Sequence, residues 1–147
     1  YMTNKIEGQI VSLQIHKNRR KPMEKTSSLN LIQGFGIEGD IYGTHKSSRE
    51  KNQILLMDKE TLDNFNLDPG IIKENITTSN IPINSLQIGQ KLSIGDTVIL
   101  EITKPCPPCN LMDEIRPGLC QDLQNQRGML AKVEQGGIIK ENDPIKY

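Results

Sequence analysis

Cys106 and Cys109 stand two residues apart in "TKPCPPCNLMDE" (103–114), set among Pro105, Pro107 and Pro108. Cys120 follows, and these three are all the cysteines in the chain. Four chemistries compete for such a set. Structural zinc wants four thiolate or imidazole ligands, whereas the chain offers three cysteines, with His16 and His45 far upstream. A redox pair of the thioredoxin kind sits at a helix start, where backbone N–H groups stabilise a thiolate. Here both inner residues are proline and carry no N–H. A single working thiolate, Cys109, draws support from Lys104 beside it and from Arg116 and Arg127 further on, because positive neighbours favour the ionised sulfur. The prolines would hold its loop in one shape. The plainest reading is buried filler, the usual fate of a free cysteine.

These residues need a scaffold, and the patterning points to strands. "IEGQIVSLQI" (6–15) alternates and predicts a first strand, and "NQILLM" (52–57) a buried one. "NLIQGFGIEGDIYG" (30–43) carries four glycines and predicts an irregular strand and loop. In "DKETLDNFN" (58–66), Asp58 can cap a short helix with Leu62 and Phe65 on one face. "QKLSIGDTVILEIT" (90–103) predicts a hairpin with a two-residue turn at Gly95-Asp96 and with Val98, Leu100 and Ile102 sharing one face. A second short helix is expected over 118–126, with Cys120 packing beside Leu119 and Leu123. "GMLAKVEQGGIIKENDPIKY" (128–147) reads as strand, Gly-Gly turn, strand. Many short strands with glycine turns suggest a mainly β barrel or sandwich carrying a few helices.

Composition narrows the function. A chain of 147 residues favours one domain, 1–147, around one core. Lys+Arg and Asp+Glu both number 18, which argues against a nucleic-acid binder. The basic run "HKNRRKPMEK" (16–25) is the local exception, a solvated loop face or an anion site. No apolar run approaches the ~20 residues of a membrane span, and no signal peptide opens the chain. A reducing cytoplasm is the expected compartment.

In order along the chain, "GIEGDIYG" before His45, "NQILLMDKETL", "LDPGIIKENITTSNI", "LQIGQKLSIGDTVILEIT", "KPCPPCNLMDE" and "RGMLAKVEQGGIIKENDPI" resemble the successive segments of the MOSC domain, the module named for the C-terminus of molybdenum-cofactor sulfurase, in its short stand-alone bacterial form. The resemblance runs from about residue 11 to 145. It implies a mainly β (α+β) MOSC-type barrel with a few short helices. It also implies binding of molybdenum cofactor (molybdopterin), without pyridoxal phosphate, and makes Cys109 the metal-ligating or sulfur-carrying thiolate. Asn75 and Thr77 would then line the cofactor pocket as neutral donors. Lys104, Arg116 and Arg127 would hold its phosphate, and His45 would hydrogen-bond it. Two activities follow from the resemblance. One is cofactor or sulfur handling with a sulfur-donor protein. The other is molybdenum-dependent reduction of N-hydroxylated compounds with a separate electron donor. A non-enzymatic zinc- or ligand-binding barrel is the alternative. The family's Gly-Glu-Asn is Lys73-Glu74-Asn75 here, and its late Gly-Asp is Asn142-Asp143. Lys73 implies either a changed backbone angle or a basic group by the site.

Overall fold

The computed structural model describes residues 7–43 and 53–147. In chain order its strands are β1 (Glu7–Ile15), β2 (Glu24–Thr26), β3 (Ser28–Ile32), β4 (Gly36–Ile37), β5 (Ile54–Asp58), β6 (Ile76–Ser79), β7 (Lys91–Ile94), β8 (Val98–Pro105), β9 (Met129–Gln135), β10 (Gly137–Lys140) and β11 (Pro144–Lys146). The helices are α1 (Lys59–Asn64), α2 (Leu111–Ile115) and α3 (Leu119–Asp122), with a 3-10 turn at Ile83–Ser85. Among the described residues no helix is long and apolar enough to cross a membrane.

Seven strands form a ring in the order β11-β7-β8-β9-β5-β6-β1, closed by pairing β1 with β11. Closure leaves the ring no exposed edge. β11 takes the first half of β1 and β2 the second half. Only β5 and β6 run parallel in the ring, and α1 lies in the connection between them, as a parallel pair requires a crossover. A small second sheet has the order β10-β3-β4.

Two apolar clusters flank the ring wall. Ile10, Leu13, Ile54, Leu56, Leu100 and Ile102 belong to the barrel core. Met57, Leu62, Ile72, Met112, Leu119 and Leu123 form a second cluster under the helices. β5 is covered on both faces: Ile54 and Leu56 serve one cluster and Met57 the other. A fully buried aliphatic side chain contributes about 1.5–3 kcal/mol relative to exposure. α1 starts as its sequence predicts, with Asp58 Oδ2 accepting from Thr61 N (3.1 Å) and Thr61 Oγ1 (2.7 Å). Asp113 on α2 accepts from Gly118 N and Cys120 N at the start of α3, which fastens the two helices together.

The inward face of β8 carries Val98, Leu100 and Ile102 as expected, but the turn before it has three residues, since Ile94 pairs directly with Val98. α3 spans only Leu119–Asp122, shorter than 118–126. The segment after Gly128 departs most. β10 pairs with β3 and not with β9, so Gly136 and Gly137 carry the chain from the barrel to the small sheet. A Cβ at Gly136 would stand 2.5 Å from Leu31 O, and Gly137 holds φ +154° against Thr97. Close backbone approach, not a hairpin turn, explains this pair of glycines.

One irregularity prepares the site. Pairing between β1 and β6 shifts between Ile10 and Ser12, leaving Val11 unmatched. The bulge puts Ile10 and Leu13, three residues apart, into the same core and turns Ser12 and Gln14 to the other face.

Candidate thiol cleft

β8 ends at Pro105, and the proline-rich loop after it is tied back to the start of β9: Cys106 N donates to Gly128 O (2.9 Å). At the far end of the loop Met112 N donates to Cys109 O (2.9 Å), opening α2. Gly128 holds φ +99°, and a Cβ there would collide with Leu56 O. Only glycine lets β9 begin this close to β5, which sets the position of Arg127. Cys106, Cys109, Lys104, Lys73, Asn75 and Arg127 line a cleft of about 360 Å³, with Leu55 and Leu111 among its apolar residues. Cys109 is exposed and Cys106 half-buried, and both are free thiols.

Arg127 is 6 % exposed, yet its Nε and Nη1 have no hydrogen-bond partner. Buried guanidinium groups are ordinarily paired, because stripping the charge of water costs several kcal/mol. Glu74 is fully buried; burial pushes its carboxyl above the usual carboxylate range, and the pull of Arg127 the other way is the smallest of the opposing effects. Burial likewise pushes the Cys106 thiol up, with Arg127 and Lys104 acting against that and Cys109 adding to it.

A buried polar network backs the cleft. Gln14 Nε2 donates to Glu74 O (3.0 Å) and Thr77 Oγ1 (3.2 Å), and Ser12 donates to Gln14 Oε1. Thr77 Oγ1 donates to Glu74 Oε2 (2.9 Å), while Glu74 Oε1 has no partner. Asn75 Oδ1 accepts from Leu55 N (3.1 Å), and its Nδ2 donates to Gln14 O (3.4 Å) and Asp40 Oδ1 (3.3 Å). Asp40 also accepts from His16 N (2.7 Å) and Tyr42 N (3.1 Å), the turn role its place after Gly39 predicts. Burial raises the Asp40 carboxyl, and those N–H donors oppose the rise.

The residues named from sequence therefore divide. Cys109, Lys104, Arg127 and Asn75 meet at the cleft. Thr77 does not line it; it is fully buried in the network behind. Arg116 lies apart, its Nη2 donating to Phe65 O (2.7 Å) after α1. His45 falls outside the described residues. Cys120 packs against the second cluster, which holds Leu119, Leu123 and Met112, and does not line the cleft with the other two thiols. Among the described residues no three or more His, Cys, Asp or Glu side chains are grouped to hold a metal. Lys73 keeps a left-handed backbone (φ +72°), as does Asn142 (φ +72°), so the lysine brings a basic group without changing the sign of the angle. Tyr42 and Leu111 are cleft residues that no motif in the sequence marked. Cys106, the other thiol of the CxxC, lies there too.

The sequence pattern of the MOSC domain matches residues 35–146. The chain belongs to the MOSC domain family. Solved structures agree with the barrel. The YuaD protein from Bacillus subtilis is 17 % identical, with a TM-score of 0.80 over 99 % of this chain and 97 % of that one. YiiM from Geobacillus stearothermophilus is 18 % identical (TM-score 0.74, 95 % of this chain, 74 % of that), and YiiM from Escherichia coli 16 % (0.67, 98 % and 69 %). At such identities the likeness is one of fold. No curated protein sequence matches the chain.

Proposed function

We propose that this MOSC chain binds molybdenum cofactor in the thiol cleft, presenting Cys109 to the metal and holding the anionic part with Arg127 and Lys104. The orphaned guanidinium carries this reading: Arg127 Nε and Nη1 are buried, unpaired and beside a cleft that also holds two thiols and two lysines. A planar guanidinium fork suits a phosphate, and a soft thiolate suits a soft or high-valent metal. The residues present thus fit the group. When bound, the cofactor supplies the redox or sulfur chemistry. Cys109, exposed at the rim, reaches the ligand; Cys106, deeper and held by Gly128 O, supports it. Asn75 shapes the wall, since its amide already serves Leu55, Gln14 and Asp40. Cofactor or sulfur handling and reduction of N-hydroxylated compounds with an outside electron donor both begin with this binding step.

The test is elemental and pterin analysis of protein produced in a molybdenum-replete host. Molybdenum and pterin should copurify, fall away in Cys109→Ser and Arg127→Met, and only weaken in Cys106→Ser. Stoichiometric zinc, lost equally on either cysteine substitution, would overturn the proposal in favour of a zinc barrel.

A further inference from the structure

Three cavities meet at Lys73 and Leu111. One is the thiol cleft. The second, of about 440 Å³, is walled chiefly by apolar side chains, Met23, Pro69, Ile71, Leu111 and Ile115 among them. The third, of about 880 Å³, draws His16, Arg19, Arg20 and Lys21 from the basic run and adds Lys73, with Glu114 its single carboxylate among the described residues. Lys73 and Leu111 line all three.

Two features mark the second and third cavities as more than surface relief. Among the described residues only four large apolar side chains stay exposed, and two of them, Leu111 (56 %) and Ile71 (40 %), line the 440 Å³ cavity. Four formal positive charges against one negative also line the adjoining cleft, a self-repelling arrangement that an anion would relieve. Lys73 joins the two. Its backbone is left-handed, which is strained for an L-residue, and its Nζ donates to Lys21 O (3.3 Å), which ties the loop before β6 to the basic run.

We infer that these adjoining cavities bind one small amphipathic organic anion, its ring-sized apolar body in the 440 Å³ cavity and its carboxylate, sulfonate or phosphate group among Lys73, Lys21, Arg19 and Arg20. The apolar volume lies within the range of small-molecule sites, roughly 300–1,000 Å³. The site stands without any cofactor. That its occupant is the molecule acted on rests on the cofactor reading, since Lys73 and Leu111 also wall the thiol cleft.

The test uses the full chain free of molybdenum, so failure of the cofactor reading leaves it intact. The probe is 8-anilinonaphthalene-1-sulfonate, followed by calorimetry and fluorescence at low and high salt. One saturable site per chain is expected, weakened by salt. Lys73→Gly and Leu111→Glu should each lower affinity roughly tenfold or more. Lys73→Arg should retain it. Lys73→Gly should not lower the thermal midpoint, because glycine is at ease at φ +72°. Uncharged N-phenyl-1-naphthylamine should bind more weakly than the sulfonate. Equal affinity of the two probes, indifference to both Lys73→Gly and Leu111→Glu, or fluorescence that appears only as the protein unfolds would each overturn the inference.

Discussion

Cys106 and Cys109 share one short loop but not one environment. Cys109 is exposed, whereas Cys106 is half-buried with its thiol raised by that burial. Iodoacetamide at neutral pH should therefore modify Cys109 first, with peptide mass spectrometry reading the order; faster labelling of Cys106 would contradict the assignment of the working thiol. Arg127 presents the sharper test. A guanidinium with two buried nitrogens left unpaired is a liability in cofactor-free protein. Arg127→Met should raise the stability of cofactor-free protein by roughly 1–3 kcal/mol in urea denaturation while abolishing cofactor retention. Lower stability of the variant would mean that the guanidinium has a partner in solution. That Arg127 is a basic neighbour of the cysteine loop was legible from its charge and its place in the chain. Its difference from Arg116 was not, because both look alike in sequence. The fold sends one to the cleft and the other to Phe65 O.

Among the elements, the bond between Cys106 N and Gly128 O links the thiol loop to β9. Gly128→Ala would place a methyl against Leu56 O at φ +99°. The expected loss is roughly 1–3 kcal/mol by urea denaturation, with faster alkylation of Cys106 as its loop loosens. Full stability would show that β9 can shift without harm. Elements carried by local signals were readable: the Asp58 cap of α1, the apolar run of β5, and the alternation of Val98, Leu100 and Ile102. Elements decided by distant partners were not. Gly136-Gly137 looks like a turn until β3 supplies the partner for β10. Ser12 and Gln14 look like ordinary strand residues until the bulge turns them toward Glu74 and Thr77.

Two buried carboxyls make the stability of the whole molecule depend on pH. Burial raises Glu74 and Asp40 above the usual carboxylate range, so the folded chain holds these protons more tightly than the unfolded one. The stabilisation is complete below the ordinary carboxylate pKa and is lost as pH rises through the raised values. The urea midpoint should fall as pH rises above the ordinary carboxylate range, and Glu74→Gln, which can still accept from Thr77, should show a shallower fall. A variant with the parent's slope would exonerate Glu74. The ring itself has a consequence in time. Its closing pair, Gln9 with Pro144, spans 144 − 9 = 135 positions. Bringing such distant strands together costs loop entropy before any contact rewards it, so refolding should take milliseconds to seconds. Yet β1 and β11 lie side by side and antiparallel. A permuted chain that runs from β11 straight into β1 through a short loop, reopened at the turn after β7, would make that pairing local but turn the β7–β8 hairpin into the long-range closure, so its stopped-flow refolding should stay in the parent's range.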